Sequence, residues 1–330
     1  MARPAPQLSI VVPCYNEEEV LPETRRRLEQ LVGELVGAGQ IAASSRVWFV
    51  DDGSRDRTWE LIESMSAEPG SIVCGLKLSR NRGHQVALLA GLMSAPGDAV
   101  ISVDADLQDD LGVIPTMVAE FRRSMDVVYG VRTSRSTDGL FKRVTAEGYY
   151  WLLARLGVEV VFNHADYRLM SRRAVEALRA YPESNVFLRG LIPQIGFPTT
   201  VVGYERAERF AGESKYPLRK MLALAWQGVT SFSAAPLRFI TAFGMLVSAV
   251  SIGLAMWALG VRLLTENVVP GWASIVIPVF FLSGVQLLSI GIMGEYVAKI
   301  FIETKRRPLY FVDRTVGSDI PAPAPAPEER

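Results

Sequence analysis

Cysteine and histidine are nearly absent from this chain of 330 residues, which has only Cys14 and Cys74, His84 and His164. Two thiols so far apart in sequence make a disulfide scaffold a poor reading, and a reducing compartment fits. Neither histidine has triad-like partners nearby, so both read as loop residues rather than catalysts. An excess of one charge is missing too. The formal net charge is +0, and no broad basic surface argues for nucleic acid. There is no Gly-Lys-Ser/Thr phosphate loop and no GxGxxG after the first strand, which excludes most kinases and dinucleotide enzymes. Residues 1–7 carry two prolines and no apolar run, so they read as an N-terminal arm and not as a signal peptide.

Charge is present but unevenly placed. Residues 1–235 hold most of it, while 239–261 and 272–294 contain no Asp, Glu, Lys or Arg. At about 1.5 Å rise per residue, each run is long enough to cross the roughly 30 Å hydrocarbon layer. The spacing predicts two transmembrane helices, about 237–263 and 271–298, within a region 236–303. Arg219, Lys220 and Arg238 before the pair, and Lys299, Lys305, Arg306 and Arg307 around its end, are basic. The turn between the spans has little charge beyond Arg262 and Glu266. That asymmetry puts both ends in the cytoplasm of a multi-pass inner (plasma) membrane protein. Gly244, Ser248, Gly291 and Gly294 would allow close helix approach, with Gln286 bonding across. Within 213–235, the stretch 218–229 has one apolar face with Arg219 and Lys220 opposite, the pattern of an interface helix or of an ordinary amphipathic one. The segment 304–330 is expected on the cytoplasmic side. Its residues 308–312 read as a strand able to dock on a neighbouring copy, and 321–330, an Ala-Pro alternation, as a disordered tail.

Residues 8–212 read as an α/β domain. Apolar runs at 8–13, 47–50, 72–78, 99–102 and 126–130 alternate with helical patterns ending near 36, at 57–65, 85–93 and 111–123. Asp56 caps the second of these. This rhythm gives a mostly parallel, Rossmann-like sheet with helices on both faces. Further strands are expected after Phe162 and at 199–205, and a further helix at 141–156. Ligands in such sheets lie beyond the carboxyl ends of the strands. Three polar turns sit there: Tyr15-Asn16-Glu17-Glu18, Asp51-Asp52-Gly53-Ser54 and Asp104-Ala105-Asp106-Leu107-Gln108. In an extended chain, Asp104 and Asp106 project to the same side. Two such carboxylates call for a cation, and Mg²⁺ is usually held by one or two carboxylates plus substrate phosphates. The plainer reading is an acidic loop, with Asp109 and Asp110 as caps of the next helix.

Taken together, Val12-Pro13-Cys14-Tyr15-Asn16-Glu17-Glu18, Val50-Asp51-Asp52-Gly53-Ser54, Asn81-Arg82-Gly83-His84-Gln85 and Asp104-Ala105-Asp106-Leu107-Gln108 resemble the family 2 glycosyltransferases of GT-A fold. Asp166-Tyr167-Arg168-Leu169-Met170, the segment 209–216 and the helix pair narrow the resemblance to polyprenyl-phosphate glycosyltransferases, similar to the bactoprenol glucosyltransferases and dolichyl-phosphate mannose synthase. It covers 7 to about 315. Cys14 departs from the small or aliphatic residue expected there.

The resemblance implies an inverting membrane enzyme that moves a hexose from a nucleotide sugar to polyprenyl phosphate. UDP-glucose is the first choice of donor and GDP-mannose the second, with Mg²⁺ or Mn²⁺ as cofactor and a homo-oligomeric state. Pro13, Tyr15, Asn16 and Glu17 would line the nucleoside pocket. Asp51 would bond the base, with Asp52 nearby, and Asp104 would hold the ribose or sugar side. Asp104, Asp106 and Gln108 would hold the metal and diphosphate. Arg132, Arg209 and Lys215 would gather phosphate groups. Asp166 would orient the acceptor or take a residual proton; alternatively it is a loop carboxylate holding Arg168. A processive polysaccharide synthase needs more spans and a Gln-x-x-Arg-Trp motif, which is missing. A non-catalytic nucleotide-binding module would not need the paired Asp104 and Asp106.

Overall fold

The computed structural model describes residues 3–132, 164–181, 183, 187–205, 235–264 and 272–317. Strand β1 (Leu8–Cys14) is buried along its whole length. Its near-continuous apolar sequence is what a strand covered on both faces requires. Around it run α1 (Leu21–Gly37), β2 (Arg46–Asp51), α2 (Thr58–Ser66), β3 (Val73–Leu78), α3 (His84–Ser94) and β4 (Ala99–Ser102). A 3₁₀ turn, Leu111–Val113, leads into α4 (Ile114–Arg122), where a single helix over 111–123 was expected. The chain continues through β5 (Val127–Arg132), β6 (His164–Ser171), α5 (Arg172–Arg179), α6 (Leu188–Gln194) and β7 (Thr199–Tyr204). Beyond them lie α7 (Ala235–Leu264), α8 (Trp272–Thr304) and β8 (Val312–Val316).

The strands form one sheet in the order β7-β5-β6-β4-β1-β2-β3-β8. Pairs β1–β2, β1–β4, β2–β3 and β5–β7 are parallel, while β3–β8, β4–β6 and β5–β6 are antiparallel. The mostly parallel α/β sheet therefore stands as expected. Helix α3 lies close on β1 and β2 because Gly91 has no side chain: a Cβ there would come within 2.4 Å of Val11 Cγ1 and 2.8 Å of Val50 Cγ2. That close approach sets where the N-terminus of α3 emerges.

Cys14 and Cys74 are buried free thiols. Burial pushes Cys14 well up and Cys74 up to about 11, so both serve as packing and not as reactive groups. The expectation for 308–312 is corrected. The strand lies four residues later and pairs with β3 of its own chain, with Gly75 opposite Val316.

The chain divides into two compact units. One holds the sheet with α1–α6, and the other holds α7 and α8. Among the described residues, Phe281–Thr304 is long and apolar enough to cross a membrane, with mean hydropathy 1.5. Helix α7 contains the uncharged run 239–261. The expected features at 141–156, 218–229 and 321–330, the turn between the spans, Arg209 and Lys215 lie outside the described residues.

Candidate active site

The carboxyl ends of β1, β2 and β4 converge on one edge of the sheet. The first two turns are stapled together. Asn16 adopts a left-handed backbone (φ 55°). Its N–H donates to Ser54 Oγ at 3.0 Å, and its Oδ1 accepts from Arg55 N at 2.9 Å. Glu17 N donates to Thr58 Oγ1 at 2.9 Å. The Asp56 carboxylate accepts from Thr58 N and from Glu18 N. Pro13 is buried beside Val50, whereas Tyr15 is 40% exposed.

Asp51 and Asp52 have different duties. Both Asp52 oxygens accept backbone N–H groups of the β3–α3 loop, from Arg82 at 2.7 Å and from Gly83 at 2.8 Å. Asp52 thus fixes the loop that starts α3. Gly53, at φ +68°, is required in this turn, since a Cβ would meet Arg80 C and Asn81 N at 2.7 Å. Asp51 is fully buried, and its Oδ1 accepts from Ser54 N at 3.1 Å. Its buried Oδ2 has no hydrogen-bond partner. Burial raises its carboxyl. An orphaned buried acceptor of this kind fits an N–H from a ligand.

Past β4 the acidic turn begins. Asp106 Oδ1 accepts from Gln108 N at 3.2 Å, and Leu107 between them has φ 57°. Asp110 caps the 3₁₀ turn through Gly112 N at 2.8 Å. The turn is also braced from β6 and β7. Tyr167 Oη donates to Asp110 O at 2.9 Å, Tyr204 Oη donates to Asp109 Oδ1 at 2.6 Å, and Arg132 Nε donates to Tyr204 Oη at 3.4 Å. Asp104 is partly buried. Burial, with Asp109, Asp166 and Asp106 around it, pushes its carboxyl up to about 6 despite the opposing pull of His84. Among the described residues, no three His, Cys, Asp or Glu side chains are grouped as a metal site. A cation held by Asp104 and Asp106 would take its further ligands from substrate oxygens and water.

The antiparallel register of β4 and β6, with Ser102 opposite Arg168, carries Asp166 to the level of Asp104. Asp166 lies on a strand and is 6% exposed. It accepts from Gln85 Nε2 at 2.8 Å, from Arg168 Nη2, and from Arg189 through Nη2 at 3.1 Å and Nε at 3.3 Å. Burial opposes its ionisation, but His84, Arg168 and Arg189 hold its carboxyl well below the usual range. His84 is not a loop residue. It is the first residue of α3, and its Nε2 stands 3.5 Å from Asp104 Oδ1 and 3.7 Å from Asp166 Oδ2. Those carboxylates raise it against the effect of burial.

Sequence reasoning gave no site role of their own to Gln85, Arg189 and Tyr204, read Asp109 as a helix cap, and set His84 aside. For Arg189 a signal existed: a lone charge in the otherwise apolar Phe187-Leu188-Arg189-Gly190-Leu191-Ile192. Asp109 and Tyr204 are brought together only by the sheet.

The chain belongs to glycosyl transferase family 2, whose family model matches residues 9–179, and it is a glycosyltransferase of GT-A architecture. It is similar to the glycosyltransferase YkoT of Bacillus subtilis (strain 168), at 50% identity over 95% of this chain and 93% of that one. It is 39% identical to the prophage bactoprenol glucosyl transferase homolog of Escherichia coli (strain K12), over 93% of this chain and 99% of that one. The SfII prophage-derived bactoprenol glucosyl transferase of Shigella flexneri is 40% identical, over 94% of this chain and 98% of its own.

Proposed function

We propose that this glycosyltransferase moves a hexose from a nucleotide sugar to the phosphate of a polyprenyl lipid, inverting the anomeric carbon. Glucose is the first choice, because full-length relatives carry the name bactoprenol glucosyl transferase. UDP-glucose is accordingly the expected donor, and GDP-mannose the alternative. The observation that carries the reading is the facing pair of acidic centres, Asp104 in the strand-end turn and Asp166 on β6, with His84 between them.

On this reading the buried, partnerless Asp51 Oδ2 accepts an N–H of the base. Pro13, Tyr15, Asn16 and Glu17 wall the nucleoside, and Asp52 keeps the β3–α3 loop in place. Asp104 and Asp106, with Gln108, would hold Mg²⁺ or Mn²⁺ together with diphosphate oxygens. Burial, with the neighbouring carboxylates Asp109, Asp166 and Asp106, lifts Asp104 to about 6, and a cation beside it would favour its ionised form. When bound, the ion supplies Lewis-acid neutralisation of the leaving diphosphate. Arg132, with Arg209 and Lys215, gathers phosphate oxygens.

The acceptor phosphate has its second pKa near 6 and is largely ionised at neutral pH, so it needs orientation more than a base. Asp166, held well below the usual carboxylate range, is suited to orient and poorly suited to take a proton. Helices α7 and α8 anchor the enzyme as a membrane hairpin beside its lipid acceptor, with the sheet unit in the cytoplasm.

The test offers UDP-glucose, GDP-mannose and a 4-amino-arabinose-type donor, each with polyprenyl phosphate, to the purified full chain. UDP-glucose consumption and a lipid-linked monosaccharide are expected, lost on chelation and restored by Mg²⁺ or Mn²⁺. A polymer, or no lipid-linked sugar from any donor, defeats the reading. Undiminished transfer in chelator defeats the metal assignment.

A further inference from the structure

Asp51 and Lys77 are register partners across the parallel strands β2 and β3, so their side chains leave the sheet at one level and on one face. Asp51 is fully buried, and its Oδ2 has no hydrogen-bond partner. Lys77 is half-buried. Burial pushes the Asp51 carboxyl up, and the Lys77 charge nearby pulls it back. Yet the two form no ion pair. Among the described residues the Lys77 ammonium makes no hydrogen bond or ion pair, and lies 5.4 Å from the centre of the buried Trp59 ring. It therefore keeps three N–H donors to give. An unused acceptor and an unused cationic donor, side by side but apart, are what a ligand can bridge.

Such a pair matches a ligand edge with an N–H beside a C=O. Uracil and guanine have that edge. Cytosine and adenine turn a ring-nitrogen acceptor toward the carboxylate instead. Asp51 Oδ1 already accepts from Ser54 N at 3.1 Å, so one oxygen is wholly unused. Uracil brings one ring N–H, flanked by carbonyls. Guanine brings an exocyclic N–H₂ to the same edge as well, and a buried donor without an acceptor costs about 1–3 kcal/mol.

The geometry points to Lys77 as a specificity-determining residue for the donor: its ammonium donates to a carbonyl oxygen of uracil while Asp51 Oδ2 accepts the ring N–H. This inference rests on the functional reading above, in which the base lies at Asp51. It adds a residue on β3 that selects the base, and a reason for a uridine nucleotide that is independent of the relatives' names.

The experiment measures Kd for UDP, GDP and CDP by titration calorimetry with Mg²⁺, on the purified full chain and on its Lys77→Met and Lys77→Arg variants. Lys77→Met keeps an unbranched stem against Trp59 and removes the donors. Thermal unfolding in detergent confirms the fold, and Lys77→Gln takes the place of Lys77→Met should that variant unfold. The parent should bind UDP at least about tenfold more tightly than GDP or CDP. Loss of a hydrogen bond from a charged donor predicts UDP binding about 10- to 100-fold weaker in Lys77→Met, with CDP changed by less than about threefold. Lys77→Arg, which keeps a cationic donor, should recover part of the loss. Equal weakening of UDP and CDP would assign Lys77 to the diphosphate. Unchanged UDP affinity in a folded Lys77→Met would leave Lys77 as packing on Trp59. A parent that prefers GDP would show that the edge being read is not uracil's. Each of these results overturns the inference while leaving a nucleotide-sugar transferase in place. Failure of the unaltered chain to bind any of the three nucleotides would instead remove the functional reading, and the inference with it.

Discussion

At the scale of single residues, the chemistry of the site depends on how Asp166 is held. A carboxylate that is 6% exposed stays charged because His84, Arg168 and Arg189 face it. Removing it leaves a fully buried guanidinium without its counter-charge, and breaking such a pair costs about 3–5 kcal/mol. Asp166→Ala should therefore lower the unfolding temperature clearly, as thermal denaturation will show. Asp166→Asn keeps the shape and some hydrogen bonds, and should unfold nearer the parent. Both should lose transfer by roughly 10²-fold or more if the carboxylate orients the acceptor. Asn at full rate in single-turnover transfer would end that role. The sequence showed Asp166 and Arg168 two apart, and the alternation of a strand puts such a pair on one face. It could not show Arg189 arriving from another element, or His84 reaching both carboxylates. Those contacts exist because β4 and β6 are neighbours in antiparallel register, a long-range fact no local pattern records.

At the scale of elements, the strand ends were legible because each apolar run stops at a polar, turn-forming cluster. What was not legible was how the ends are tied. Asp52, expected near the nucleotide, spends both oxygens on the β3–α3 loop. Tyr204 and Tyr167 brace the acidic turn from strands far along the chain. A second tie lies at the opposite end of the sheet. Asp126, fully buried, joins the N-terminal arm to the start of α5. It accepts from Arg3 Nη2 at 3.0 Å and from Arg173, while Arg3 also donates to Met125 O at 3.0 Å. Burial resists ionisation there, yet Arg173, Ser171 and Arg3 together lower the carboxyl below its ordinary value. A depressed folded pKa means that the unfolded chain binds the proton more readily. The stabilisation is thus fully present above the unfolded carboxyl pKa, about 3.9, and is lost as pH falls through the lower folded value. Unfolding profiles of the parent and Asp126→Asn should differ by about 1–3 kcal/mol from pH 5 to 8 and draw together as pH falls from about 4 towards and through the lower folded value. A gap that does not narrow at all below about pH 4 would show that the carboxylate charge is not what holds the arm.

At the scale of the whole molecule, the chain leaves the sheet after β7 and returns to it at β8. Antiparallel pairing of Gly75 with Val316 and of Leu76 with Thr315 makes the C-terminal segment part of the same sheet as the candidate site. Both must then lie on one side of any membrane, so the intervening segment crosses an even number of times. Phe281–Thr304 satisfies length and apolarity for a span. If it crosses, another stretch must cross back, and the uncharged run 239–261 within α7 is long enough. The two charge-free runs were plain in the sequence. The parity that links them was not, because 308–312 read as a strand for a neighbouring copy, and its true partner is set only by the exposed edge of β3. The hairpin predicts that a reporter fused after Arg330 is cytoplasmic and that a cysteine placed at Asn267 is labelled by a membrane-impermeant reagent from outside. Should Asn267 prove cytoplasmic, α7 does not span. Helix α8 then could not span either without tearing β8 from β3, and the enzyme would meet its lipid by lying on the membrane surface instead.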